Sequence, residues 1–88
     1  MSEATVDVTL DCTGQRCPLP VIKLAQAILS VPVGGVVRLL ADDPAALADV
    51  PAWCRMRDQE LLAVDRPDDG PATFDVRRRR RSATGAGS

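Results

Sequence analysis

The chain of 88 residues has no histidine and no tyrosine, and only one tryptophan and one phenylalanine. Each shortage excludes something. Without an imidazole, hydrolysis by a cysteine–histidine pair lacks the base that activates the thiol and protonates the leaving group. With so few rings, nothing along the body interleaves basic and aromatic residues as a single-strand nucleic-acid surface requires. No apolar run reaches the length of a membrane span, and the acidic, mixed start Met1-Ser2-Glu3 is unlike a signal peptide. The expected location is cytoplasmic. Three cysteines, Cys12, Cys17 and Cys54, make no even disulfide framework, and with neither a C-x-x-C pair nor a histidine they form a poor zinc set. Neither a metal nor a cofactor is expected.

Hydrophobic residues, at 45% of the chain, suffice for one domain with a modest, mainly aliphatic core. The formal charge is −1, but five of the eleven basic residues form the run Arg77 to Arg81, leaving six basic against twelve acidic side chains elsewhere, a net of −6. An acidic body with a basic tail results. The domain is expected over residues 1–81, with 82–88 small, polar and disordered.

Val6 to Leu10 alternates apolar and polar residues, as a strand with one buried face does. Gly14 suits the turn that follows. From Pro18 to about Leu29, apolar residues recur at helical spacing, and Pro32 with Gly34-Gly35 ends that helix. Val36 to Ala41 is nearly continuous apolar sequence, as in an interior strand covered by a helix. Asp42-Asp43-Pro44 has helix-start chemistry, with a short helical turn expected over Ala45 to Asp49 and a restart at Pro51 that carries Trp53, Cys54 and Met56 inward. Glu60 to Arg66 and Ala72 to Arg78 read as a hairpin around the turn Pro67-Asp68-Asp69-Gly70-Pro71. The order β-α-β-α-β-β predicts an α/β (α+β) two-layer sandwich, a four-stranded mixed sheet with two helices on one face.

Chemistry is expected at Cys17-Pro18-Leu19-Pro20. Pro18 fits the first helical position and Pro20 the rest of the first turn, which places Cys17 at or near the helix N-cap. There the positive end of the helix dipole, the N–H groups of Leu19 and Val21, and neighbouring Arg16 favour a thiolate. The expected result is a pKa lowered by up to about 1.5 units from roughly 8.5. Exchange between sulfur atoms needs no general base, because a thiolate attacks and a thiolate leaves. Sulfur relay or redox exchange is therefore favoured over acyl transfer.

The stretch Gly14-Gln15-Arg16-Cys17-Pro18-Leu19-Pro20-Val21 resembles the Gly-x-x-Cys-Pro-x-Pro signature of the TusA-like, or SirA-like, sulfur carrier proteins. The likeness continues through Ala41-Asp42-Asp43-Pro44-Ala45, Asp49-Val50-Pro51-Ala52-Trp53-Cys54 and Glu60-Leu61-Leu62, across roughly residues 6–79. The resemblance implies a sulfurtransferase whose Cys17 carries sulfane sulfur as a persulfide, with Gly14, Arg16, Pro18 and Pro20 supporting the motif. It implies a cysteine desulfurase or rhodanese-type donor and a downstream acceptor protein, with tRNA thiolation, molybdenum cofactor assembly or sulfur metabolism as destinations. Docking is expected around the cysteine, with Arg16, Ile22, Lys23, Asp43 and Met56 as candidates. Lys23 would favour an incoming anionic persulfide.

Two alternatives follow from departures from that pattern. Cys12 and Cys17 could act as a redox switch in a regulatory module. The run Arg77 to Arg81 could serve an RNA-binding accessory domain, although direct RNA binding is not favoured. The plainer readings are that Cys54 belongs to the core and that the arginine run extends the last strand into solvent.

Overall fold

The apolar run Val36–Ala41 becomes one of the two interior strands of the sheet, with the first helix packed on it. In the computed structural model, which describes residues 5–80, the elements are β1 (Val8–Asp11), α1 (Leu19–Ile28), β2 (Val36–Ala41), α2 (Ala46–Met56), β3 (Glu60–Asp65) and β4 (Ala72–Arg77). The sheet order is β1-β2-β4-β3. β1 runs parallel to β2, whereas β2 with β4 and β3 with β4 are antiparallel. This is the mixed, four-stranded α+β sandwich expected. The tail residues 82–88 lie outside the described residues.

Period-two alternation separates the two faces of the sheet. Val37, Leu39 and Ala41 of β2 and Phe74 and Val76 of β4 are buried against Leu24 and Ile28 of α1 and Val50, Trp53 and Cys54 of α2. On the opposite face Arg38 stands across from Asp75. Their pairing is bidentate, Nε to Oδ1 at 2.8 Å and Nη2 to Oδ2 at 2.9 Å, a geometry that fixes register as well as charge.

Four local expectations need correction. β1 begins at Val8 rather than Val6, because the Asp7 carboxylate, not a backbone carbonyl, accepts the Val36 N–H at 2.8 Å. α2 is one continuous helix with Pro51 inside it, not a turn followed by a restart. Proline there removes one donor to the preceding turn, but Val50, Trp53 and Cys54 on the buried face hold the two halves in line. Met56 points outward, 73% exposed, instead of into the core. It is the last residue of α2, beyond the stretch that faces the sheet. α1 starts at Leu19 with Pro18 as its N-cap, one residue later than expected. The Leu19 N–H donates to the Arg16 carbonyl at 2.9 Å, so a turn over Arg16 to Leu19 intervenes before the helix.

Candidate functional site

Because β1 and β2 are parallel neighbours, the loops leaving their carboxyl ends lie side by side, where sheets of this kind present their sites. Three aspartates brace these loops, and two of them tie one loop to the other. Both carboxylate oxygens of Asp42 accept the Gly14 N–H, at 2.9 and 3.0 Å. Asp43 Oδ2 accepts the Cys17 N–H and Oδ1 the Ala45 N–H, each at 3.0 Å. Asp11 Oδ1 accepts both the N–H and the hydroxyl of Thr13, at 3.1 and 2.6 Å. Gly14 has φ +81°, and a Cβ there would meet nothing within 4 Å, so the demand for glycine is conformational rather than steric.

The loop delivers Cys17 partly exposed, with Pro18 joined to it by a cis peptide bond. The other two cysteines are core residues: Cys12 is 1% exposed and Cys54 2%. Cys54 was expected there. For Cys12 the question was open, and the answer is that its side chain turns inward as its N–H donates to the Leu40 carbonyl at 2.9 Å. All three thiols are free.

The thiolate expected at Cys17 is reversed. Its pKa is pushed up to about 11, first by burial, then by a hydrogen bond to the Asp49 side chain and the negative charges of Asp49 and Asp43. The helix end counters this less than expected. Pro18 and Pro20 have no N–H to offer and that of Leu19 is taken by the Arg16 carbonyl, so the prolines that shape the turn also leave it short of donors. Arg16, expected to help, acts on Asp43 instead, adding to the backbone hydrogen bonds that hold that carboxyl below its ordinary range. The Lys23 charge is felt at Cys12.

Gly14, Arg16 and Asp43 come together, lining with Gln15, Asp42 and Pro44 an open cleft of about 420 Å3. Ile22 and Lys23 are exposed on α1 within two turns of Cys17. Met56 is not brought to the site, since it lies seven residues beyond Asp49, about 10 Å farther along α2. Sequence reasoning missed two residues. Asp49 opens one of the stretches that carry the family likeness, but nothing local gives it a role, which comes from packing of α2 beside the first loop. The Gln15 side-chain oxygen is buried and has no hydrogen-bond partner among the described residues. Among those residues no cluster of potential metal ligands occurs, and no helix is long and apolar enough to cross a membrane.

A small α+β sandwich that offers one accessible cysteine on a loop braced by aspartates defines the class. The sequence model of the Sulfurtransferase TusA family matches residues 8–78, and the chain belongs to that family. It is 45% identical over 60 residues to a sulfur carrier protein TusA from Pseudomonas fluorescens, covering 68% of this chain and 72% of that protein. The fold matches the crystal structure of a SirA-like protein from Desulfitobacterium hafniense with a TM-score of 0.73 at 24% identity, over 83% of this chain and 99% of that one.

Proposed function

We propose that the protein is a sulfur carrier that accepts sulfane sulfur on Cys17 and passes it on as a sulfurtransferase. The observation that carries this reading is that, of three cysteines in a chain of the TusA family, Cys17 alone retains solvent contact. In the first step the Cys17 thiolate attacks the outer sulfur of a donor persulfide; a new S–S bond forms at Cys17, the donor's S–S bond breaks, and the donor leaves as a thiolate. In the second, an acceptor thiolate attacks the outer sulfur of the Cys17 persulfide, and Cys17 leaves as the thiolate. No net oxidation occurs and no cofactor takes part.

The thiol proton must depart before the first attack, and the Asp49 carboxylate, whose hydrogen bond and charge act on the thiol, can receive it. A donor that brings cationic groups against Asp43 and Asp49 would relieve the charges that hold the thiol protonated. The resting carrier then reacts slowly until docked. Gly14, Pro18 and Pro20 shape the loop, and Arg16, Ile22, Lys23 and Asp43 border it as the docking surface. A cysteine desulfurase or rhodanese-type protein suits the donor role in the cytoplasm. Incubation with a desulfurase, cysteine and labelled sulfur tests the assignment: the wild-type protein should acquire the label, and equal labelling of Cys17→Ser would refute it.

A further inference from the structure

The arginine run that follows β4 takes no part in the chemistry at Cys17, and its surroundings suggest a role of its own. A groove of about 330 Å3 opens between the C-terminal halves of α1 and α2 and the chain leaving β4. Its floor is apolar: Leu29 is 69% and Val33 53% exposed, beside the edge of Trp53. Its rim is cationic, formed by Arg57, Arg78, Arg79 and Arg80. Arg78 is held in place by the Val31 carbonyl at 2.7 Å, and Arg79 lies 3.4 Å from the Asp58 carboxylate. Arg57 and Arg80 have no ion-pair partner among the described residues. The groove lies at the far end of α1 from Cys17, a helix of 10 residues that spans about 15 Å.

We infer that this groove is a second docking surface, which takes an acidic segment of a partner protein that inserts apolar side chains between its carboxylates. Charge complementarity with the arginine rim calls for the acids, and the exposed leucine and valine call for the apolar anchors. The segment Ser82 to Ser88 contains neither the acids nor the large apolar residues that this chemistry calls for. Nucleic acid fits less well. Base stacking requires exposed rings, yet Phe74 is fully buried, Trp53 is 7% exposed, and tyrosine is absent. A partner held here leaves the Cys17 loop free, so the carrier could be tethered at one end while sulfur moves at the other.

Trp53 is the chain's one tryptophan, so its emission reports on the groove. The full-length protein is titrated with two peptides of aspartate and leucine, each about ten residues or nearly three helical turns long. One spaces its leucines as a helix does, and the other alternates them. Controls are a leucine–asparagine peptide, an all-aspartate peptide and an oligouridylate. At least one Asp–Leu peptide should shift the Trp53 emission saturably. The three controls should bind about tenfold more weakly, and so should the variant carrying both Arg57→Glu and Arg80→Glu, which should still load sulfur on Cys17. Saturation by neither Asp–Leu peptide at millimolar concentration overturns the inference, as does tighter binding of the oligouridylate, and neither result bears on the assignment of Cys17.

Discussion

The two ends of the helical layer differ in charge and in what they expose. At the end where α1 and α2 begin, Asp43 and Asp49 act on a half-covered thiol, and Asp42 and Asp43 spend their oxygens on loop N–H groups. At the other end arginines surround apolar side chains left open to solvent. The acidic end is braced and holds its sulfur protonated, while the basic end offers charge that the fold has not used. The cysteines sharpen the contrast. Cys17 and Cys54 are both pushed up to about 11, Cys54 by burial and Cys17 by burial together with two carboxylates. Only the second kind of shift can be undone by a partner that brings positive charge.

That difference is open to direct attack. A thiol raised from 9.0 to about 11 has roughly 100-fold less thiolate at pH 7 than an unshifted one, and its greater nucleophilicity regains about tenfold. Iodoacetamide should therefore alkylate folded Cys17 about tenfold more slowly than the same residue in the unfolded chain, with a rate that climbs up to pH 11. A rate plateau near pH 7 would show that the aspartates do not govern the thiol. Asp49→Asn removes one of the two charges and should speed alkylation of Cys17 at pH 7 by about fivefold, while leaving Cys54 as slow as before.

Smaller effects belong to the bracing. Gly14→Ala forces a side chain into a left-handed conformation at φ +81° and should cost about 1 kcal/mol in urea unfolding. The smallest effect is an acid one. Asp43 is held below its ordinary value of 3.8 in the folded protein by its hydrogen bonds to Ala45 and Cys17. It therefore favours folding above that value, and its contribution is lost as pH falls through the lower folded value. Asp43→Asn, compared with wild type by thermal unfolding from pH 6 downward, should lose stability less steeply in that acid range.

Much of the fold was legible in period and punctuation. Alternation marked β1, continuous apolar sequence marked β2, and Pro67 to Pro71 marked the hairpin turn, because each of these signals is local. Legibility failed where a partner distant in sequence decides the outcome. Asp7 replaces a ladder carbonyl for Val36, 29 residues away, and Asp42 and Asp43 reach 28 and 26 residues back to Gly14 and Cys17. The cysteine was readable from its prolines; its protonation state was not. A proline-rich helix start suggests a stabilised thiolate until the missing N–H groups are counted and Asp49 is placed beside the sulfur.

The account depends on one sulfur atom, and mapping where transferred sulfur resides tests it most directly. After loading by a desulfurase, alkylation and proteolysis, peptide mass spectra should show one added sulfur on the peptide containing Cys17 and none on those with Cys12 or Cys54. An added sulfur on Cys12 or Cys54, or a Cys12–Cys17 disulfide in place of the persulfide, would contradict the account.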